Sequence, residues 1–441
     1  MPPPPPLAGR RLPKGEADAF GTAAGSCGCD LSAGAVVLFY AYVPVSDPAA
    51  LAARIEASCA AHGVTGKLRV ALEGINGTAA GPTAGIHALE ALLASADETR
   101  EPELARAASA LDFKRRPGCA HYFDALSVRV VDEIVPFRAA IARPSSASTP
   151  PPVKIARLSP EAFHDAIVDP SAVVLDVRNW YESRVGRFER AVLAPIRRFS
   201  QLPEWASAGE NAARFRGRRV LMYCTGGVRC EKAAAWFATD PSVAPREIGV
   251  LEGGVVAYAE AFGRDGCVSE KSRVSRSGGD DGCAAADDAS RGVLDGRVVG
   301  ASSASVSESV SIESVSESVD PGNDEKARRS RFLGSNFVFD ARGVVRVTAD
   351  VTGWCDGCGD ACDRVGRCAG RACHVILLIC ERCDLAPAGV FCCARCEAQE
   401  GGGGAKRRPC ECDGYASRER RLTARAERRT DEATRRRPPS S

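Results

Sequence analysis

The chain has 441 residues, more than one ordinary hydrophobic core can hold, so two or three domains are expected. Its formal net charge is only +2, and this balance produces no whole-protein field that would point to nucleic acid or a membrane. No stretch approaches the roughly 20 consecutive apolar residues that cross a bilayer, and the opening MPPPPPLAGRRLPKG lacks the apolar segment of a secretory signal. We therefore expect no membrane partner and a cytoplasmic location, with an organelle as the alternative.

The N-terminal part of the chain predicts a small α+β domain behind a disordered leader. Residues 1–33 are rich in Pro, Gly and Ala and are expected to be disordered. After them, strand and helix patterns follow one another in the order β-α-β-β-α-β. The predicted segments are residues 36–45, 47–63, 67–74, 76–81, 83–95 and a final strand pair at 110–114 and 121–135. This order predicts a ferredoxin-like α+β domain over residues 34–138.

A second domain is predicted over residues 153–263, after a linker rich in Pro and Ser at 142–152. Three apolar runs have the composition of buried strands. They are AVVLDVR at 172–178, RRVLMYC at 218–224 and EIGVLEGG at 247–254. Helical stretches separate them, and strands that alternate with helices form a parallel sheet covered on both faces. The second domain is therefore expected to be a doubly wound α/β domain.

The remainder of the chain divides into segments of different composition. Residues 266–330 are rich in Ser, Gly and Asp, contain the string SVSESV twice, and are expected to be a disordered insertion. A strand-like stretch at 336–347 then opens a cysteine-rich module over 336–397. The last segment, 401–441, carries 12 Lys or Arg against 6 Asp or Glu between residues 406 and 437. It is expected to be a disordered basic tail that either contacts phosphates or only adds solubility.

The string MYCTGGVRCEKAAAWF at 222–237 places a thiol on a glycine-rich loop between a strand and a helix. Gly226 and Gly227 let backbone N–H groups curl into a concave anion site at the N-terminus of that helix. This setting lowers the pKa of a thiol, and Arg229 adds a positive charge. Cys224 is therefore expected to be a thiolate that acts as a nucleophile or carries a sulfur atom. The alternative is a buried structural cysteine beside an incidental arginine.

Further residues are assigned to the support of this loop. LDVRN at 175–179 ends a strand with a carboxylate and a guanidinium, and strand ends in a parallel sheet face the binding crevice. Asp176 and Arg178 are therefore expected to brace the cysteine loop; a surface ion pair is the alternative. The other assigned residues are Thr225, Gly226, Gly227, Val228 and Cys230. Cys230 is either a resolving thiol or a packing residue in the first helical turn.

Together these strings resemble a rhodanese domain, whose active loop of six residues runs from a catalytic cysteine to an arginine. The wider pattern is similar to the bacterial rhodanese-domain tRNA uridine hydroxylases. The matching strings are YAYVPVSDPAAL, GKLRVALEGINGT and FDALSVRVVDEIV in the first domain, CTGGVRCEKAAAW in the second, and NFVFDAR with the cysteine-rich end. The resemblance covers residues 36–138, 154–262 and 336–397, and the blocks occur in the family's order.

The resemblance implies oxygen-dependent conversion of the wobble uridine of tRNA to 5-hydroxyuridine. It implies that Cys224 is the essential cysteine and that Arg229 and the Gly226–Gly227 turn belong to its loop. One departure is GRF at 186–188, where the family usually has Gly-His-Phe, so a role of that histidine is not carried over. One alternative is a sulfurtransferase that uses the same cysteine and never meets RNA. Another is a non-enzymatic zinc-ribbon protein whose second domain is only a scaffold.

Dioxygen is expected as the co-substrate of the implied reaction. The five histidines are scattered without a His-x-Asp pair of a non-haem iron site, and no dinucleotide fingerprint for flavin or nicotinamide occurs. A thiolate can add to C6 of uracil and make C5 carbanion-like, so that C5 reacts with oxygen. This role is predicted for Cys224, and the base must leave the stack of the anticodon loop to reach it.

The stretch FKRRPGCAHYFD at 113–124 is the predicted contact for the tRNA anticodon loop. It combines basic with aromatic residues, a mixture suited to phosphates and base stacking. The assigned residues are Lys114, Arg115, Arg116 and His121, beside Tyr122 and Phe123. Without the family resemblance, a basic loop on a solvated face would be the preferred interpretation.

Ten cysteines lie between residues 355 and 396. Cys-x-x-Cys units place two thiolates on one tight turn, half of a tetrahedral zinc site, so two structural zinc ions are expected, with an iron–sulfur centre as the lesser alternative. The predicted ligands are Cys355, Cys358, Cys368, Cys373, Cys380, Cys383, Cys393 and Cys396. Cys362 and one of Cys392 and Cys393 are then surplus, and His374 is a possible substitute. The spacing does not indicate which pairs share an ion.

Overall fold

The structure is a computed structural model that describes residues 29–94, 111, 113–139, 153–263, 329–370, 373 and 375–401. The expected disordered insertion and basic tail, apart from residues at their edges, and most of the N-terminal leader lie outside these residues. The described end of the leader forms a 3-10 turn at Leu31–Ala33, where the Asp30 carboxylate accepts a hydrogen bond from the Ser32 N–H at 2.9 Å. In the ranges given above, no helix combines the length and the apolar character needed to cross a bilayer.

The first domain is a five-stranded sheet with two helices. Its strands are β1 (Gly34–Ala41), β2 (Thr65–Ala71), β3 (Gly74–Pro82), β4 (Lys114–Pro117) and β5 (Leu126–Val130), and its helices are α1 (Pro48–Ala61) and α2 (Thr83–Ala94). The strand order is β4-β1-β3-β2-β5; β5 runs parallel to β2, and the other neighbours are antiparallel. The predicted ferredoxin-like α+β class is confirmed, with β5 as an added edge strand.

Helix α1 begins where the sequence provides both a cap and a proline. The Asp47 carboxylate accepts a hydrogen bond from the Ala50 N–H at 2.9 Å, and Pro48 lies in the first turn, where its missing N–H costs nothing. Leu51 on this helix is buried in the same core cluster as Phe39 of β1. The helix is thereby fixed against one face of the sheet.

The last predicted strand pair of this domain is displaced along the chain. Strand β4 begins only at Lys114, and residues 120–122 form a 3-10 turn where a strand was predicted. In this turn the Tyr122 N–H donates to the Cys119 carbonyl at 3.1 Å, and the Tyr122 ring is buried in a small core with Val36. Burial of the Tyr122 ring therefore decides the local structure here, although the alternating sequence pattern favoured a strand.

The second domain is built on parallel strands, as predicted for a doubly wound α/β domain. Its strands are β6 (Lys154–Leu158), β7 (Val173–Asp176), β8 (Gly186–Phe188), β9 (Val192–Leu193), β10 (Arg219–Tyr223) and β11 (Glu247–Leu251). Its helices are α3 (Pro160–Ala166), α4 (Trp180–Val185), α5 (Leu202–Ser207), α6 (Gly209–Phe215), α7 (Val228–Thr239) and α8 (Gly254–Phe262). Five strands form one parallel sheet in the order β6-β11-β10-β7-β9.

Strand β10 lies in the middle of this sheet and is buried on both faces. Val220 and Met222 belong to the core on one side, and Leu221 and Tyr223 to the core on the other. A continuous apolar run is what a central parallel strand requires. The loop that follows β10 therefore starts at the carboxyl edge of the sheet, where crevices form.

The C-terminal part joins the second domain through a short antiparallel pairing. Its strands are β12 (Phe332–Phe337), β13 (Val344–Arg346), β14 (Val365–Arg367) and β15 (Ile376–Leu378), and its helices are α9 (Glu381–Asp384) and α10 (Ala394–Gly401). Strand β12 pairs with β8 and with β13, so the stretch predicted at 336–347 is a hairpin and not one strand. A side chain at Gly186 would overlap the Ser335 carbonyl, so glycine permits this pairing. Arg187 of β8 donates to the Thr352 carbonyl at 3.4 Å and thus packs in this junction.

Candidate active site and metal-binding clusters

The predicted cysteine loop, residues 224–229, joins the end of β10 to the start of α7. Gly227 is the N-cap of α7 and has a φ of +101°, a conformation that favours glycine. Its N–H donates a hydrogen bond to the Cys224 Sγ at 3.1 Å, and Cys224 is completely buried. The loop therefore holds a sulfur against backbone N–H groups at the N-terminus of a helix, as predicted.

Burial by itself would raise the pKa of the Cys224 thiol, but local interactions more than offset it. The Cys230 thiol, the positive charge of Arg229 and the backbone N–H groups of residues 229 and 230 all favour the thiolate form of Cys224. Together they lower the pKa of Cys224 to about 5. Burial and the neighbouring thiolate raise the pKa of Cys230 well above its ordinary value. At neutral pH the pair therefore consists of a thiolate on Cys224 and a thiol on Cys230.

Arg229 is held in place by a buried carboxylate. Its Nη1 donates to Glu182 Oε1 at 2.7 Å and its Nη2 to Glu182 Oε2 at 2.6 Å. The Thr225 hydroxyl accepts from Arg229 Nη2 at 3.0 Å and donates to Glu182 Oε2 at 3.2 Å. Glu182 Oε1 also accepts a hydrogen bond from the Asn179 N–H at 3.1 Å at the start of α4. We assigned no role to Glu182 from the sequence; the Asn-x-x-Glu spacing signals the cap, but not the contact with Arg229.

Asp176 and Arg178 form a fully buried ion pair and not a surface one. Arg178 Nε donates to Asp176 Oδ1 at 2.9 Å and Arg178 Nη2 to Asp176 Oδ2 at 2.7 Å. The Tyr223 hydroxyl donates to Asp176 Oδ2 at 2.8 Å, and Arg178 also donates to the Gly186 carbonyl at 2.6 Å. The pair thus reaches the cysteine loop through Tyr223, the residue before Cys224, and ties β7 and β10 to β8.

Strand β1 of the first domain covers the cysteine loop. A Cβ atom on Gly226 would overlap the Leu38 side chain, and one on Gly227 would lie 2.8 Å from the Tyr40 hydroxyl. The Tyr42 hydroxyl donates to a carbonyl of the loop at 3.0 Å. The two glycines therefore serve the close approach of the first domain as well as the curl of the loop. The sequence did not predict this cover, because it joins residues more than 180 positions apart.

A lysine of α7 fastens the same contact between the two domains. Lys232 Nζ lies 2.8 Å from Glu73 Oε1 and 2.6 Å from Glu133 Oε2, both in the first domain. It also donates to the Val135 carbonyl at 3.0 Å. Because the lysine is almost fully buried, these contacts satisfy a charge that would otherwise be costly to bury.

A cavity of about 650 Å³ lies beside the loop, between the first domain, α8 and the β12–β13 hairpin. Thr225 is the residue of the cysteine loop in its wall. The basic side chains of the wall are Lys114, Arg116, Arg342 and Arg346, and the acidic ones are Glu260 and Asp340. Arg116 Nη2 lies 2.7 Å from Glu260 Oε1. The wall carries more positive than negative side chains, which suits a ligand that bears phosphates.

The structure brings only part of the predicted RNA-binding stretch to this cavity. Lys114 and Arg116 lie in its wall, whereas Arg115 points to the other face of β4 and pairs with Glu90 through two nitrogens. His121 lies beside Cys29 of the leader and Cys119 of the first domain. Tyr122 and Phe123 are only 4% and 6% exposed, so the prediction that they stack on bases is wrong. Their rings belong to the core of the first domain.

The cysteine-rich segment forms two groups of four cysteines, and in each group the sulfur atoms all lie within 4.8 Å of one another. The first group is Cys355, Cys358, Cys380 and Cys383, and the second is Cys368, Cys373, Cys392 and Cys396. Sulfur pairs in these groups are separated by 3.5 to 3.7 Å. Zinc–sulfur bonds of about 2.3 Å in a tetrahedron separate the sulfurs by roughly 3.8 Å. The two sets of four sulfur ligands therefore fit two metal ions. Along the chain, pairs of ligands from the two sets alternate.

One predicted ligand of the second group is wrong. Cys392, and not Cys393, contributes the sulfur: it is buried and lies 3.5 Å from the Cys396 sulfur, whereas Cys393 is half-buried. The Cys393 sulfur lies 3.9 Å from the Cys392 sulfur but is not part of the group. Cys362 lies outside both groups, as expected, and burial raises its pKa to about 12. His374 lies outside the described residues.

The fold and the loop define the class of the central domain, and the comparisons with known families agree. The family model for the rhodanese-like domain matches residues 159–261. Before it, the UPF0176 acylphosphatase like domain matches residues 34–134, and after it the rhodanase C-terminal model matches residues 333–397. The chain thus contains a rhodanese-like domain between an acylphosphatase-like domain and a cysteine-rich C-terminal domain.

Curated relatives that are similar to the chain have the name tRNA uridine(34) hydroxylase. The chain is 34% identical over 227 residues to that of Lactococcus lactis subsp. cremoris, an alignment that covers 51% of this chain and 65% of the relative. It is 34% identical to that of Oceanobacillus iheyensis and 35% identical to that of Streptococcus uberis, each over 225 residues, 51% of this chain and 64% of the relative. These matches confirm the resemblance predicted from the motifs, over somewhat less than two thirds of the relatives' length.

Proposed function

We propose that the protein hydroxylates C5 of the wobble uridine of tRNA with dioxygen, and that Cys224 is the catalytic residue. The observation that carries the proposal is the position of a low-pKa thiolate loop next to a basic cavity. The name of the curated relatives supports the same substrate and the same reaction. The anticodon loop of tRNA would then be the partner. The reaction would take place where tRNA is found, in the cytoplasm or in an organelle.

In this proposal the Cys224 thiolate adds to C6 of the uracil ring. A carbon–sulfur bond forms, and C5 gains the electron density to react with dioxygen. Release of the thiolate and loss of the C5 proton restore the aromatic ring with a hydroxyl on C5. One oxygen atom of dioxygen enters the product and the other leaves as water, so the reaction consumes two electrons, which a thiol reductant would supply.

Access to Cys224 requires that the loop be uncovered. The sulfur has no exposed surface, and Leu38 and Tyr40 of the first domain lie over the loop. A uracil base must therefore displace these contacts, and it does so more easily from a single-stranded loop than from a duplex. Lys114 and Arg116 would hold the phosphates beside it. Arg229, fixed by Glu182, would keep the thiolate form in place before the base arrives.

The two four-cysteine groups would hold structural zinc ions. Cys355, Cys358, Cys380 and Cys383 would bind one, and Cys368, Cys373, Cys392 and Cys396 the other. Four protein ligands leave no open coordination position, so zinc here would supply folding energy and no step of the reaction.

The test is nucleoside mass spectrometry of tRNA after aerobic incubation with the full-length protein and a thiol reductant. We expect uridine to gain the mass of one oxygen atom with the wild-type protein and no gain with Cys224→Ser. A binding assay with the same variant is expected to find tRNA affinity unchanged, because serine has nearly the same shape. Hydroxylation by Cys224→Ser would refute the role of the thiolate.

A sulfurtransferase is the second candidate, and one observation favours it. The loop from Cys224 to Arg229 has the six-residue length that carries a persulfide in rhodanese domains, and that chemistry needs no RNA. Incubation with thiosulfate, followed by mass spectrometry of the Cys224 peptide, separates the two candidates. A persulfide without any change in tRNA would favour sulfur transfer.

A further inference from the structure

A third group of metal-ligating side chains lies where the leader meets the first domain, outside the cysteine-rich segment. Cys29, Cys119 and His121 place two sulfur atoms and one imidazole nitrogen within 4.8 Å of one another. His121 Nδ1 lies 3.3 Å from Cys29 Sγ and 3.8 Å from Cys119 Sγ. We propose that these three side chains bind a zinc ion.

The distances agree with a tetrahedral zinc site. Zinc bonds of about 2.3 Å to sulfur and about 2.05 Å to nitrogen separate the two ligand atoms by roughly 3.5 Å. The two measured separations, 3.3 and 3.8 Å, lie on either side of this value. The two sulfur atoms of the third group also lie within 4.8 Å of each other, the same limit that the two four-cysteine groups meet.

The chemistry of the three ligands suits a metal cation. Both sulfurs approach the same Nδ1 atom of His121, and a cation shared by two thiolates and an imidazole would hold all three groups together. Two soft sulfurs with one imidazole favour zinc over magnesium or calcium, which prefer oxygen ligands.

The backbone holds the two stretches that carry the ligands close together before any metal binds. The Gly118 N–H donates to the Gly34 carbonyl at 3.2 Å, and a side chain at Gly34 would overlap the Gly118 carbonyl. The Thr65 hydroxyl donates to the Ala120 carbonyl at 2.5 Å, which fixes the turn between Cys119 and His121. Such preorganisation is what a metal site needs from its surroundings.

The proposed site has a consequence for the cavity described above. It would clamp the start of β1 to the end of β4, and β4 carries Lys114 and Arg116 in the cavity wall. The fourth position of the tetrahedron is left to water. Cys29 and His121 are exposed, so solvent and chelators can reach the ion.

The test is the zinc content of the full-length protein, measured by inductively coupled plasma mass spectrometry after desalting. We expect Cys29→Ser and His121→Ala each to hold one zinc per chain less than the wild type. Both positions are exposed, so the substitutions leave the core intact. Cys59→Ser is the matched control: Cys59 is a buried cysteine of the same domain outside the group, and its zinc content should equal that of the wild type. Equal zinc content in the wild type, Cys29→Ser and His121→Ala would overturn the proposal.

A second measurement identifies the ligands. The protein is loaded with cobalt(II), and the spectrum of Cys29→Ser is subtracted from that of the wild type. We expect a difference spectrum with the bands of one tetrahedral cobalt and a sulfur-to-cobalt charge-transfer band. Thiol counting in denaturant detects the outcome that would refute the metal site. A disulfide between Cys29 and Cys119 would lower the number of free thiols by two. Both readouts are independent of activity on tRNA.

Discussion

The hydrogen bond from Cys230 to Cys224 offers the sharpest test of how the loop makes its thiolate. In Cys230→Ala the donor is lost, while alanine keeps the helix and leaves the other N–H groups in place. A hydrogen bond to a charged group contributes about 1.5 to 3 kcal/mol. One pKa unit corresponds to about 1.4 kcal/mol, so the pKa of Cys224 should rise by about one to two units. From about 5 it should move to between about 6 and 7.

The direction of the pH dependence follows from the lowered pKa. The folded state favours the thiolate, so its contribution to stability is complete above the ordinary thiol pKa of 9.0. It declines as the pH falls from 9 and is lost below about 5. In Cys230→Ala the lower end of this pH range should rise. The range over which the thiolate contributes to stability should therefore become narrower. The acidic limb of the pH–activity profile should shift to higher pH by the same one to two units, because it reports the ionisation of the same thiol.

The assay is the ultraviolet absorbance of the thiolate as a function of pH, with the trace of Cys224→Ser subtracted. Cys230→Ser keeps a hydroxyl donor and should shift the midpoint less than alanine does. Cys59→Ala is the control, because burial raises the pKa of Cys59 to about 11 and it lies in another core cluster. An unchanged acid midpoint in Cys230→Ala would refute the assignment of this hydrogen bond.

Three further predictions concern the contacts around the loop and the metal-binding clusters. Glu182→Gln removes the carboxylate that pairs with the buried Arg229. Chemical denaturation should find the free energy of unfolding lowered by about 3 to 5 kcal/mol, and a loss below about 1 kcal/mol would contradict this. Arg116→Ala should weaken tRNA binding and lower the number of counterions released on binding by about one, as measured from the salt dependence of the affinity. Arg115→Ala should leave both unchanged, because Arg115 lies on the other face of β4, away from the cavity. Equal losses in the two variants would place the RNA elsewhere. Cys380→Ser should lose one zinc per chain and make the cysteine-rich segment sensitive to protease; an unchanged zinc content would exclude the first four-cysteine group as a metal site.

Local patterns predicted the parts of the site that depend on neighbours in the sequence. The apolar run of β10, the two glycines and the helix after them indicated a thiolate at Cys224, because strand, turn and helix cap are all set within about a dozen residues. The fold class of all three domains followed from the order of such segments and from the family resemblance.

The missed features depend on contacts between distant residues. Nothing near Glu182 in the sequence indicates that it holds Arg229, and nothing in β1 indicates that Tyr40 covers the loop. Lys114 and Arg115 are adjacent and alike in the sequence, but the pleat of β4 sends one to the cavity and the other to Glu90.

The choice between Cys392 and Cys393 failed for a related reason. Both satisfy the spacing of a four-cysteine site, and only the turn that precedes α10 decides which sulfur faces the group. Cys29 was not singled out at all, since its partners lie 90 or more residues away, with a separation of 92 residues to His121.

The central claim is that Cys224 directs oxygen from dioxygen to C5 of a tRNA uridine. The most direct measurement is incubation of tRNA and the full-length protein under isotopically heavy dioxygen, followed by nucleoside mass spectrometry. The proposal predicts 5-hydroxyuridine that carries the heavy isotope with the wild-type protein, and none with Cys224→Ser. Product that carries oxygen from water, or labelled product from Cys224→Ser, would contradict it.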